Sequence, residues 1–329
     1  MILQPQIYLA PLQGFTDFHF RDAYQKYFGN VDQYFSPWIK LDGEGKLKNS
    51  QIRDIRPENN QGVKLIPQVM CNNSVDFLYL ANYLFDLGYE EINWNLGCPH
   101  PMITKRGLGS ALLKNPEKII STLDKILPKM QNKLSIKMRL GFENEDESVN
   151  LLPLLNNYPL TEIIIHARTA AQMYKGKANT DAFENCIGQS KHKLVYNGDL
   201  NSLKMFKELS VRFPQINSWM VGRGLIANPF LGSMIKNDSD KLPQNHKKVF
   251  LDFHHHLMES YASHLSGEKH LLIKMISFWE YFSNSFKDAH KAHKRIKKAK
   301  TLIAYNEAVK MNLNSGFMDS GQKTVDGRQ

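Results

Sequence analysis

Cys98 lies in the run Asn93-Trp94-Asn95-Leu96-Gly97-Cys98-Pro99-His100-Pro101, directly ahead of Lys105-Arg106-Gly107-Leu108-Gly109-Ser110. Gly97 and Pro99 bend the backbone on both sides of the thiol, which predicts a side chain held out rather than packed away. The Lys105-Arg106 rim predicts a setting whose charge and exposure suit thiol chemistry. A lone cysteine packed as a small hydrophobe is the bland alternative, and the surrounding asparagines, glycines and cations weigh against it. Cys71 and Cys186 lack such neighbours and read as packing residues. Three widely spaced cysteines fit a reducing compartment and argue against a disulfide framework or a zinc site.

Other chemistry-bearing residues also stand at the ends of apolar runs. Lys137, in Ser135-Ile-Lys-Met-Arg139, is an ammonium in a strand context where a bare charge is costly without a partner. The Gln68 amide can both donate to and accept from a ring edge. Asn197-Gly-Asp199 and Gly222-Arg-Gly224 combine glycines that permit close backbone approach with the charged fork of Arg223. Beside a flavin, Lys137 would stabilise negative charge on the reduced ring, while the two glycine-containing ends would take its phosphate. His254-His255-His256 is not read as a metal tract, because consecutive helical residues point about 100° apart and cannot converge on one ion.

These positions require a frame. Strands are predicted at Ile7–Ala10, Asp32–Ser36, Lys64–Val69, Glu91–Asn95, Leu134–Met138, Glu162–His166, Lys193–Tyr196 and Ser218–Val221. Helical patterns lie between most of them, clearest at Thr16–Tyr27, Ser74–Leu87, Pro116–Leu127 and Ser202–Leu209. This is an α/β pattern, a (β/α)8 TIM barrel, whose working residues belong at the C-terminal strand ends. A doubly wound sheet would carry G-x-G-x-x-G after its first strand, where this chain has Ala10-Pro11-Leu12-Gln13-Gly14. From Lys247 to about Leu313 the pattern is helical throughout, predicting a smaller all-α bundle. The expected division is a catalytic barrel over 1–240, a helical domain over 241–315 and a disordered tail over 316–329. Phe278-Trp279-Glu280-Tyr281-Phe282 is read as bundle core.

The 329-residue chain is 42% hydrophobic and 22% charged, with no apolar run long enough to cross a bilayer and no secretory signal at its start. A cytoplasmic location without membrane attachment is expected. The net charge of +10 suits a polyanionic partner. Between Asn245 and Ser315 there are 12 Lys/Arg and 6 Asp/Glu, so that segment holds +6 of it. Lys287, Lys291, Lys294 and Lys298 recur at helical spacing and predict one basic stripe, in a basic run that also holds Arg295.

The motifs Leu9-Ala-Pro-Leu-Gln-Gly-Phe-Thr-Asp17, Ile66-Pro-Gln-Val-Met70, Asn93-Trp-Asn-Leu-Gly-Cys-Pro99, Arg106-Gly-Leu-Gly-Ser-Ala-Leu-Leu113, Ile136-Lys-Met-Arg-Leu-Gly141, His166-Ala-Arg-Thr169, Asn197-Gly-Asp199 and Val221-Gly-Arg-Gly-Leu225 are similar to those of the bacterial-type tRNA-dihydrouridine synthases. The resemblance covers about residues 5 to 310. It implies FMN at the barrel mouth, re-reduced by NADPH, passing hydride from N5 to C6 of a tRNA uracil while Cys98 protonates C5 as the catalytic acid. Pro11, Leu12, Gln68, Lys137, His166, Asn197, Asp199, Gly222 and Arg223 would bind the cofactor. Asn95, Arg139, Arg168 and Tyr174 would meet the uracil. Lys287, Lys291, Lys294, Arg295 and Lys298 would grip the tRNA. Leu12-Gln13 departs from the family pattern, as does Trp94, a bulky neighbour of Asn95 expected to alter how the base is seated.

Two other classes compete with this reading: an FMN barrel oxidoreductase acting on a small pyrimidine, and a non-catalytic flavin-containing module that binds tRNA. The uridine position is left open with a D-loop site favoured. The preference for NADPH over NADH and the oligomeric state are left open too. No metal and no obligate protein partner is expected.

Overall fold

The computed structural model describes residues 4–317. Nine parallel strands follow one another around a ring: β1 (Gln6–Leu9), β2 (Gln33–Phe35), β3 (Leu65–Ile66), β4 (Gln68–Val69), β5 (Glu91–Leu96), β6 (Lys133–Gly141), β7 (Leu160–Thr169), β8 (Leu194–Asn197) and β9 (Ser218–Val221). The sheet runs β3-β2-β1-β9-β8-β7-β6-β5-β4. β3 and β4 are one strand interrupted at Pro67, which has no N–H to give the ladder. Its carbonyl still accepts from Asn93 N at 2.9 Å, so the ring closes across the proline. The fold is the expected eight-membered (β/α)8 barrel, with one member split in two.

Strand alternation sorts side chains into two cores. Ile92, Trp94, Leu96, Ile136, Met138, Ile163 and Ile165 face out against the helices and are fully buried. Tyr8, Ala10, Phe35, Ile66, Ile164, Val195 and Met220 form a separate cluster inside the ring. Towards the C-terminal strand ends the interior turns polar, with Gln68, Asn93, Asn95, Ser135, Arg139, His166 and Asn197 all buried. An apolar plug below and a polar mouth above is the arrangement that lets strand ends carry chemistry.

Trp94 corrects an expectation. Its indole faces out of the barrel, donates to the Cys71 carbonyl at 3.1 Å and meets Phe77 edge-on at 5.4 Å. A residue between two inward asparagines on a strand must face outward, so Trp94 packs helix Ser74–Asp86 and does not seat a base.

Helices His246–Ala262, Glu268–Phe282, Ala289–Lys297 and Leu302–Asn314 follow the barrel. The first two grip helix Phe18–Tyr27, which begins at the Asp17 cap. Phe20 stacks on Phe278 at 5.8 Å and meets Phe253 edge-on at 5.9 Å. The Tyr261 hydroxyl donates to Asp17 at 2.6 Å, and Lys274 donates to the Gly14 carbonyl at 2.5 Å. Phe278, Trp279 and Phe282 are buried, whereas Tyr281 is partly exposed and edge-on to Phe15 at 5.0 Å. The order expected to end at 315 continues: Phe317 is buried against Phe250 and Phe286, because an aromatic ring at that point completes the bundle core. The rest of the expected tail, 318–329, lies outside the described residues. Among the described residues no helix is long and apolar enough to cross a membrane.

Two basic-run expectations also change. Helix Ala289–Lys297 is capped by Asp288, so Lys287 precedes it and does not share the stripe of Lys291, Lys294 and Lys298. Arg295 turns inward and donates to Asn312, because its position on the helix faces the bundle. The exposed lysines border a groove lined by His290, His293, Lys294, Lys297 and Lys298. In the His254–His256 tract the rings go to different partners, His254 to Tyr305 and His256 to Asp22, each at 2.7 Å.

Candidate active site

The strand register brings Gln68 beside Asn93, Asn95 beside Lys137, and Arg139, His166 and Asn197 into one row. All have inward parity, so a polar ring forms where the strands end. Gln68 Nε2 donates to Asn93 Oδ1 at 2.7 Å, and Asn95 Nδ2 donates to Gln68 Oε1 at 2.6 Å. Asn93 Nδ2 in turn donates to Ser135 Oγ at 3.0 Å. Asn95 Oδ1 accepts from the N–H groups of Gly97 and Cys98 at 3.0 and 2.9 Å. Backbone N–H groups only donate, so this fixes the Asn95 amide orientation and ties it to the cysteine loop.

The Cys98 carbonyl accepts from Ser110 N at 3.1 Å and Ser110 Oγ at 2.9 Å. Gly109, with φ of +60°, lies against it: an added Cβ would sit 2.7 Å from Cys98 O and 3.0 Å from Cys98 Cβ. Gly109→Ala is therefore expected to cost roughly 1–3 kcal/mol of stability and to change the alkylation rate of Cys98. An unaltered unfolding midpoint together with an unaltered alkylation rate would show that this contact does not hold the thiol.

The Cys98 thiol is partly buried, and burial pushes its pKa up against the opposing pull of the His100 N–H, Arg139 and Lys137. It is therefore a protonated thiol at neutral pH. The cations acting on it are Arg139 and Lys137, not the expected Lys105-Arg106 pair, which lies further along the loop. Lys137 Nζ donates to Asn197 Oδ1 at 2.9 Å, while Asn197 Nδ2 donates to the Met220 carbonyl at 2.8 Å. Burial, and secondarily Arg139, pushes the Lys137 ammonium down to about 7. An ammonium in that position gains from an anionic neighbour.

Arg139 is almost fully buried. Its Nε donates to the Gly97 carbonyl at 3.0 Å, and NH1 donates to the Thr169 and Met173 carbonyls at 2.8 and 2.7 Å. Arg139 thus fastens the cysteine loop to the loop after β7. Arg168 is engaged as fully: NH2 pairs with Asp199 at 2.7 Å and donates to the Gly176 carbonyl at 2.6 Å. Its NH1 meets His166 Nε2 at 3.3 Å. A guanidinium cannot accept, so Nε2 is the unprotonated nitrogen of that ring. Burial, Arg139, Lys137, Arg168 and Arg223 all hold His166 neutral.

Asp199 accepts from Arg168, from Arg223 at 3.5 Å and from Ala178 N at 2.8 Å. Both oxygens face donors of the protein, so this carboxylate holds the arginines in place, where the sequence suggested direct cofactor contact. Tyr174, 43% exposed, spans the mouth with Arg139 at 5.3 Å and Arg223 at 4.9 Å from its ring centre. Pro11 and Leu12 follow β1, with Leu12 packed beside Gly222. An added Cβ on Gly222 would meet Ala10 Cβ at 3.2 Å and Leu12 at 3.5 Å, so Gly222 packs closely on the end of β1 where a side chain would crowd.

The structure thus brings Cys98, Asn95, Gln68, Lys137, Arg139, His166, Arg168, Asn197, Gly222, Arg223 and Tyr174 to one mouth, and leaves Lys287, Lys291, Lys294 and Lys298 on the helical region. Sequence reasoning placed Asn93 at a working strand end without giving it a role, and missed Ser135, Gly109 and Ser110 as supports. For Ser135 the signal was present, because it precedes Lys137 by two in an alternating strand.

Residues 8–316 match the family described as Dihydrouridine synthase (Dus). A Helicobacter pylori protein named "Probable tRNA-dihydrouridine synthase" is 27% identical, covering 78% of this chain and 78% of its own. A tRNA-dihydrouridine(16) synthase of Pseudomonas syringae is 28% identical, covering 70% of this chain and 74% of its own. Among solved structures, an old yellow enzyme homologue from Zymomonas mobilis superposes with a TM-score of 0.51 at 9% identity, covering 74% of this chain and 92% of that one. Morphinone reductase superposes at 0.50 with 12% identity, covering 76% and 94%. At these identities the structural likeness concerns the fold.

Proposed function

The chain belongs to the dihydrouridine synthase family, and from that premise we propose that it is a flavin-dependent, NADPH-driven enzyme reducing one uridine of tRNA to 5,6-dihydrouridine. The observation that carries the reading is the meeting, at one barrel mouth, of a protonated thiol, an amide network and four cations. Among the described residues Asp199 is the carboxylate paired with these cations, through Arg168 and Arg223.

That mouth fits FMN. Lys137 is a buried ammonium without a carboxylate partner, and Arg223, partly exposed just after the tightly packed Gly222, offers a charged fork to a phosphate. Gln68, Lys137, His166 and Asn197 would hold the ring, Pro11 and Leu12 its apolar side, and Gly222 and Arg223 its phosphate, with Asp199 orienting Arg223. When bound, the flavin supplies the hydride that reaches C6 of the uracil.

The protein's own residues do the rest. Cys98 gives its Sγ proton to C5 and is reprotonated from solvent, a task its raised pKa prepares it for. Asn95 has one Nδ2 hydrogen committed to Gln68 and can offer the other to the base. Arg139 keeps the cysteine loop in register through Gly97, and Tyr174 borders the base. Extruding the base requires a grip elsewhere on the RNA, and the groove beside Lys291, Lys294 and Lys298 offers positive charge for it. Replacing those three lysines with Ser is expected to weaken tRNA binding at least tenfold and to lower the salt slope of log K by up to about 3, with flavin content unchanged. Unaltered affinity would remove the stripe from the account.

Rapid mixing tests the reading. The reduced protein should be reoxidised at a rate that saturates with tRNA lacking dihydrouridine. Reoxidation by free uracil or an orotate, with tRNA inert, would favour a small-pyrimidine oxidoreductase instead.

A further inference from the structure

The Lys105-Arg106 pair, suggestive in the sequence, has no part in setting the thiol, so its actual surroundings matter. Ile39 pairs with the strand carrying Gln68 and Val69, its N–H donating to the Gln68 carbonyl at 2.8 Å while Met70 N donates back at 2.9 Å. This puts Lys40 on the rim beside Cys71 and Asn72. Asn72 Nδ2 donates to the carbonyls of Arg106 and Gly107 at 3.1 and 3.3 Å, bringing the Arg106 turn to the same place. Lys40 is partly buried there, within electrostatic reach of both Arg106 and Lys48, and that repulsion adds to burial in lowering its pKa. Among the described residues none of the three cations makes an ion pair. Asp42, the carboxylate that acts on Lys40, accepts from the N–H groups of Glu44 and Lys46 at 2.9 and 3.0 Å, closing its own turn. Lys46, on the same loop, is paired with Glu44.

Asp42 faces Lys40 and Lys48 without forming an ion pair with either, so the three cations keep an excess of positive charge on one rim, which an external anion would take up. The rim belongs to the mouth that holds Cys98, on the side formed by β2, β4 and β5. The helical region packs instead against the loop after β1, helix Phe18–Tyr27 and the segment after β9. We propose that Lys40, Lys48 and Arg106 form a second RNA-binding surface, taking backbone phosphates next to the extruded nucleotide, so that the substrate strand is held on two sides of the mouth. This rests on the tRNA reading. Phosphate is also carried by the dinucleotide reductant, and the experiment separates the two sources.

The test compares the wild-type holoenzyme with a Lys40→Gln/Lys48→Gln/Arg106→Gln variant, with Arg106→Gln alone as an exposed single change that does not endanger folding. Lys46→Gln is the same-loop control. Binding of tRNA lacking dihydrouridine is titrated across salt concentrations, and flavin reduction by NADPH is followed without RNA. The expected result is a tRNA Kd raised about tenfold or more in the triple variant and measurably in Arg106→Gln, a salt slope lowered by about 2–3, and unchanged NADPH reduction, with Lys46→Gln like wild type. Slower or weaker NADPH reduction with tRNA affinity intact would reassign the patch to the dinucleotide and overturn the proposal, as would no change in either. Failure of the wild type to form dihydrouridine is a separate outcome and would fall on the tRNA reading itself.

Discussion

Replacing Cys98 with Ala is expected to slow dihydrouridine formation by about 10²–10³-fold, within the range contributed by a positioned general acid, while tRNA affinity and flavin content stay unchanged. His166 is held neutral with Nε2 facing Arg168, and Lys137 is turned to Asn197, so neither is set to take over the proton transfer. The pH profile follows from the direction of the shift. Burial raises the thiol pKa, so the acid keeps its proton through neutrality, and the wild-type rate should fall only as pH passes above the ordinary thiol value of about 8.5. Cys98→Ala should abolish that limb. A decline near pH 7 that persists in Cys98→Ala would belong to Lys137, whose ammonium is pushed down to about 7. A wild-type rate in Cys98→Ala, measured in single turnover, would end the assignment of Cys98 as the acid.

Asp199→Ala is expected to destabilise the protein by about 3 kcal/mol, the lower end of what breaking a buried pair costs. Arg168 has a side chain only 2% exposed, so losing its carboxylate leaves a buried charge uncompensated; Asp199 is 25% exposed, which lets solvent soften the effect. Flavin retention should fall as well, since Arg223 loses its pairing and Ala178 N its acceptor. Denaturant unfolding of the purified variant reads the first effect and bound flavin per chain the second. If stability and flavin content both matched wild type, Asp199 would not hold the arginines in the way described.

Much of the site was legible because β-strands have a period of two. Ser135, Lys137 and Arg139 share a parity, as do Asn93 and Asn95, and as do His166 and Arg168, and each set ends a strand of a barrel whose ends carry chemistry. The same rule applied to Trp94 would have turned it outward; its proximity to Asn95 in sequence suggested the wrong face. Pro67 announced a break in its strand, since it cannot donate to a ladder. What the sequence did not reveal was pairing through space. Nothing local to Asp199 shows that Arg168 and Arg223 share it, and nothing near Arg106 shows that Lys40 lies across from it through Asn72. The helical spacing of Lys287 was correct arithmetic on the wrong start, because the helix begins at Ala289, after the Asp288 cap.

The most direct test of the central claim is mass spectrometry of nucleosides from dihydrouridine-free tRNA incubated with the purified protein and NADPH. A single mapped uridine should gain the mass of two hydrogens, and neither the untreated tRNA nor the Cys98→Ala reaction over the same interval should show that gain. Flavin-loaded wild-type protein that consumes NADPH and binds the tRNA but leaves every uridine unreduced would contradict the claim.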